Sequence, residues 1–245
     1  MRTFPIGRLF GIRLDLHVSW FIIYALVTLT VAEAPPVSAF GIPRSYAIAA
    51  LAALVLFASV IAHELVHALT ARRFGVRTRA ITLFLFGGVA TLESEPPSPM
   101  ADAAIALAGP VASALLALAA FGAMRMAGAL AVLHTVTLQT LLAYATIANG
   151  VLAAFNLVPA YPMDGGRVLR ALLWRWRGDR DAATGGASLV GAGFACCFAG
   201  VGLAGIVLTR TWQFAWYVVI GAFLLRQCLV ERRRPPSTPL TLRSG

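Results

Sequence analysis

The stretch from Tyr46 to Ala62, YAIAALAALVLFASVIA, holds no charged residue and runs without a break into HELVH. A helix that is apolar on every face belongs in a large core or in lipid. The rest of the chain decides between the two. Of its 245 residues, 59% are hydrophobic and 12% charged, about half the charged share of a soluble domain. That balance excludes a soluble enzyme, a disordered chain and a fibrous repeat. A helix crosses a bilayer in about 20 residues, so six crossings take about 120 residues and leave only short loops.

Apolar runs bounded by turn residues place those crossings at about 16–31, 46–71, 103–124, 130–158, 187–208 and 214–229. Glu33, Pro35 and Pro36 end the first. Pro159 and Pro162 end the fourth. Gly109-Pro110 falls near the first turns of the third, where proline is tolerated. The apolar piece after the second crossing, from Ala80 to Leu92, is too short to span. Thr82, Phe84, Phe86 and Val89 favour extended structure and Gly87-Gly88 punctuates it, so a short re-entrant hairpin is expected there. Trp174 and Trp176 read as interfacial anchors on a short amphipathic helix. The expected fold is an all-α polytopic membrane protein of six transmembrane helices, with a short re-entrant β element between the second and third. Residues 1–230 form one transmembrane domain, and 231–245 a disordered cytoplasmic tail.

The basic residues test that count. All 20 are arginine, and the formal net charge is +10. Alternating sides puts seventeen on one face and leaves Arg44, Arg125 and Arg210 on the other. The positive-inside rule then expects both termini in the cytoplasm, in a multi-pass protein of the cell membrane. A net charge of this size could suggest nucleic acid, but cytoplasmic loops need arginine anyway, and no nucleic-acid partner is expected. Cys196, Cys197 and Cys228 lie in apolar surroundings and form neither a zinc-finger spacing nor a disulfide framework.

His63, Glu64 and His67 form H-E-x-x-H. On a helix the two histidines stand about 40° apart and share a face. Two imidazoles at that spacing can grip one zinc ion, and Glu64 beside them can act as general base on its water. Ionisable groups inside a membrane helix are expensive and mark function. Zinc needs a third protein ligand. His134 lies near the outer start of the fourth crossing, most of a bilayer away. Asp164 follows the fourth crossing at the depth of HELVH. It stands in NLVPAYPMDGG, where two prolines break the helix and Gly165-Gly166 let the chain turn tightly. His17, at the cytoplasmic start of the first crossing, could also contact the metal or a carboxylate beside it. A structural hydrogen bond is the plainer role for it.

These residues resemble the site-2 protease family, the intramembrane zinc metalloproteases of peptidase family M50. The family pattern, HExxH followed by N-x-x-P-x-x-x-[LM]-D-G, is met by His63, Glu64 and His67, then Asn156, Pro159, Met163, Asp164 and Gly165. GIRLDLHVSW near the start, FGG at 86–88 and AGP at 108–110 are similar to the prokaryotic branch. The resemblance implies one Zn2+ per chain on His63, His67 and Asp164, with Glu64 as the base. It implies Asn156 as a holder of substrate or oxyanion, and a substrate cleft lined by Thr82, Phe84, Phe86, Gly87 and Gly88. Residues 82–91 would then capture an unwound substrate by strand addition. The expected partners are a membrane-anchored protein substrate and the lipid bilayer, with oligomeric state open. A cytoplasmic CBS pair or a PDZ insert, seen in some branches, is not expected in these 245 residues. The alternatives are a non-proteolytic scaffold of the same fold, or a metal transporter. One ligand cluster near one face disfavours transport, and four histidines are too few for a di-iron hydroxylase.

Overall fold

The computed structural model describes residues 3–85, 87–129 and 136–233. The chain divides into two compact units, Met1–Pro97 with Ala104–Asn156, and Ser98–Ala103 with Leu157–Gly245.

The first unit opens with β1 (Thr3–Leu9) and β2 (Ile12–His17), then α1 (Ser19–Glu33) and α2 (Ile42–Arg73). It continues with β3 (Thr78–Phe84), β4 (Gly87–Leu92), most of α3 (Pro99–Ala129) and α4 (Val136–Asn156). The four strands form one sheet in the order β1-β2-β3-β4. The β1–β2 and β3–β4 pairs are antiparallel, whereas β2 and β3 run parallel, with Arg13 opposite Ala80 and Leu16 opposite Leu83. Parallel neighbours need a long crossover, and here α1 and α2 together supply it.

The sheet corrects the all-α expectation. The first crossing was placed from residue 16, but residues 12–17 are strand. Phe10 and Gly11 carry positive φ, 52° and 83°, which closes β1 on β2 through the two-residue turn that hairpins prefer. The short β element expected after the second crossing is the second hairpin, β3 with β4, of the same sheet.

Ile12, Leu14 and Ile81 of the sheet bury against Ala68 of α2. The small side chain at 68 lets the sheet lie directly on the helix that carries HELVH. At 32 residues α2 is about 48 Å long, longer than the hydrocarbon core of about 30 Å. Its C-terminus is closed by Gly75 at φ 78°, with Gly75 N–H donating to Arg72 O and Val76 N–H to Ala71 O. Helix α3 begins earlier than expected, so Pro110 lies inside it. There it removes the N–H that would bond Ala106.

The second unit holds the first turn of α3, the loop 157–163, α5 (Asp164–Arg177), α6 (Arg180–Thr209) and α7 (Ala215–Arg232). α6 and α7 pack through glycines. A Cβ at Gly202 would meet Val218 Cγ2 at 2.8 Å, and one at Gly221 would meet Ala195 O at 2.8 Å. Small residues that let backbones approach are the usual device for packing helices in lipid. α5 is the short helix expected around Trp174 and Trp176. α7 runs on to Arg232, so the tail begins later than residue 231.

Among the described residues, five helices are long and apolar enough to cross a membrane: α2, α3, α4, α6, and α7 with its leading 3-10 turn. α1, at 15 residues, is about 22 Å long. The chain is therefore mostly helical and multi-pass. His134, part of the fourth expected crossing, and most of the tail lie outside the described residues.

Candidate metal centre

His63 and His67 face inward from α2, 3% and 5% exposed. Their Nε2 atoms are 3.0 Å apart. The opposite side of each ring is engaged in the same unit: His63 Nδ1 meets Ser113 Oγ at 2.9 Å, and His67 Nδ1 meets Ile105 O at 2.6 Å. A carbonyl can only accept, so the His67 proton sits on Nδ1. In the neutral ring its Nε2 then presents a lone pair to His63. Fixing the tautomer from behind is how proteins aim imidazole at a metal.

Gly109 provides the space. A Cβ built there would fall on His67 Nε2 and lie 2.6 Å from His63 Nε2. Two nitrogens at about 2.05 Å from one tetrahedral zinc stand about 3.3 Å apart, close to the spacing found. The donors, their protonation and the glycine hollow fit a zinc ion.

Glu64 is half-buried beside them. β4 runs directly over it: a Cβ at Gly88 would be 2.6 Å from Glu64 Cγ. β4 ends the strand order, whereas β3 is flanked by β2 and β4. Thr82 and Phe84 belong to the interior strand β3, whereas Gly87 and Gly88 lie on β4, the edge strand on the Glu64 side. Phe86 lies outside the described residues.

His17 ends β2. Its Nδ1 accepts from Ser19 N–H at 3.2 Å and lies 2.7 Å from Ser19 Oγ. Ser19 Oγ in turn accepts from Leu85 N–H. These bonds tie β2 to the end of β3. Asn156 is the last residue of α4, and its amide donates to Leu152 O at 2.9 Å, back into its own helix.

In the second unit Asp164 opens α5 and is 8% exposed. The two glycines after it are helical, so close approach and not an unusual φ explains them. A Cβ at Gly165 would strike the carbonyls of Leu157 and Val158, and one at Gly166 the backbone of Tyr161. The loop is thus folded tightly onto the turn that holds the aspartate. Arg167 Nη1 lies 3.8 Å from Asp164 Oδ1, and its Nη2 donates to Asp102 Oδ1 at 3.3 Å. Asp102, fully buried, also takes a bidentate pair from Arg170 at 2.8 and 2.9 Å. Burial, then the Glu231 charge and the hydrogen bond to that carboxylate, push the Tyr161 phenol up to about 12.

Sequence reasoning missed Ser113, the Ile105 carbonyl and the Asp102–Arg170 pair. An aspartate in the first turn of an apolar helix was the only signal for the last of these, and it reads equally well as a cap.

An HExxH pair with aimed imidazoles, carried on a membrane-length helix, is a candidate metal centre of the HExxH class. The comparisons narrow this: the model of peptidase family M50 matches residues 51–129 and 124–200, and the chain belongs to that family. A candidate zinc metalloprotease of Synechocystis, sll0528, is 39% identical over 225 residues, covering 90% of this chain and 57% of that protein. Rip3 of Mycobacterium tuberculosis, another candidate zinc metalloprotease, is 38% identical over 234 residues, covering 94% of this chain and 58% of its own length. The chain thus spans a little over half the length of these curated relatives. The solved site-2 protease from Methanocaldococcus jannaschii shares the fold, with a TM-score of 0.65 at 24% identity over 97% of this chain and 98% of that one.

Proposed function

We propose that the protein is an intramembrane zinc endopeptidase, cutting a peptide bond in or near a transmembrane segment of a membrane-anchored protein. One observation carries this reading: two buried imidazoles, Nε2 atoms 3.0 Å apart, on a membrane-length helix. In it Asp164 is the third ligand. Its support is the family motif, its burial, and the guanidinium-braced turn that holds it. A zinc ion held by these three side chains supplies a Lewis acid and brings the pKa of a water toward neutrality.

Glu64 takes the proton of the attacking water as its oxygen adds to the scissile carbonyl. Glu64 then delivers that proton to the amine nitrogen as the C–N bond breaks. A substrate helix hides its carbonyls and must unwind first. The outer edge of β4 holds the unwound segment by strand addition, next to Glu64 because Gly88 packs on that side chain. Asn156, rotated off Leu152 O, donates to the developing oxyanion.

The same reading keeps six crossings and cytoplasmic termini in the cell membrane. Strands β2 and β3 are neighbours, so the chain between them crosses an even number of times. With α2 taken as a crossing, that parity supports α1 as a second one despite its length.

The test is cleavage of a membrane-anchored reporter, with zinc measured per chain. Glu64→Gln should lower turnover at least about 10²-fold with zinc retained, and Asp164→Ala should lose zinc. Unchanged turnover in Glu64→Gln overturns the assignment. Unchanged zinc in Asp164→Ala overturns the ligand set.

A further inference from the structure

The far end of α2 carries a feature that peptide hydrolysis does not use. A cavity of about 650 Å³ opens between the β1–β2 turn, the last turn of α2 and the start of β3. Arg72, Arg77 and Arg79 line it against one carboxylate, Glu93. All four residues are exposed. The local excess is two positive charges.

The rim is of opposite character. Phe10, at the tip of the β1–β2 turn, is 68% exposed. Every residue of β1 is exposed, and three of them, Phe4, Ile6 and Leu9, are large and apolar. β1 is also an edge strand. In water an apolar edge is an aggregation liability, while at a bilayer surface it is an anchor. Arg72 stands in the last turn of a spanning helix, the depth at which chains leave the hydrocarbon and meet lipid phosphates. The planar guanidinium fork matches phosphate oxygens.

We propose that this cavity binds an anionic phospholipid, its phosphodiester on Arg72, Arg77 and Arg79 and its acyl chains along the apolar side chains of β1 and Phe10. The rim selects among anions: an acidic peptide or free phosphate would use the arginines and leave the hairpin bare. The site excludes His63, Glu64 and His67, so it stands apart from the hydrolytic reading.

The experiment uses the full chain in neutral detergent, with bound lipid counted by native mass spectrometry during titration. The probes are dioleoyl phosphatidylglycerol and dioleoyl phosphatidylcholine, with inorganic phosphate and a hexaglutamate peptide as competitors. The wild type should bind the phosphatidylglycerol and not the phosphatidylcholine. A contribution of about 1 kcal/mol per arginine is about fivefold in affinity. Arg77→Gln and Arg79→Gln should each weaken binding about fivefold, and the pair about 25-fold. Phe10→Ser should weaken phosphatidylglycerol binding and leave phosphate competition unchanged. Equal binding of the two lipids by the wild type overturns the proposal without recourse to any variant. Displacement by hexaglutamate at equal concentration reassigns the cavity to acidic peptide and overturns it equally.

Discussion

A methyl group at position 109 would occupy the point where Nε2 of His63 and His67 converge. Gly109→Ala should therefore lose most of the bound zinc while retaining its detergent-solubilised fold, as metal analysis beside a thermal melt would show. Tyr161 answers to pH. Its phenol is pushed up to about 12, so the native state favours the protonated form. This stabilisation is fully present below about pH 10, where free tyrosine titrates, and disappears as pH rises through 12. Absorbance at 295 nm should show a late tyrosine ionisation that Tyr161→Phe diminishes. At this scale His63, Glu64 and His67 were legible because ionisable groups inside an apolar run have few reasons to exist. Their supports were not: the Ser113 hydroxyl and the Ile105 carbonyl leave no mark until the helices are packed, and Gly109 stood out only as part of a family triplet.

Among the elements, the hydropathy of α2, α3, α4, α6 and α7 announced them, since lipid demands length and apolarity and little else. The N-terminal hairpin escaped notice. Its turn takes positive φ at Phe10, a position where asparagine or aspartate would have signalled the turn and phenylalanine does not. Strand order was hidden for a different reason. Local composition marks Thr82 and Phe84 as extended, but pairing with β2, some 65 residues earlier, decides that β3 is interior. The edge role passes to β4, and with it a prediction. Gly88→Ala would press a methyl on Glu64. Displacing a catalytic group by about 1 Å can lower rate 10²-fold. Turnover should fall by about that factor with zinc content unchanged; a variant that turns over normally would remove β4 from the site.

For the whole molecule, the arginine asymmetry predicts sidedness. In a background freed of native cysteines, single cysteines at Arg8 and Arg175 should react only with reagents on the cytoplasmic side. Cysteines at Arg125 and Arg210 should react only from outside. The same labelling at Arg8 against Arg77 tests the even crossing number, because both must report the same side. The parallel pairing of β2 with β3 also dictates the order of events at the ribosome. β2 leaves the exit tunnel before α1 and α2, yet its partner is made some 65 residues later. At 5–20 residues per second that is a delay of about 3–13 s. Through that interval the first hairpin has no neighbour on one side, and both helices must be made before it gains one. Completion of the sheet on which the HELVH helix rests therefore waits for α1 and α2, and a stalled second helix would leave β2 open to the wrong partner.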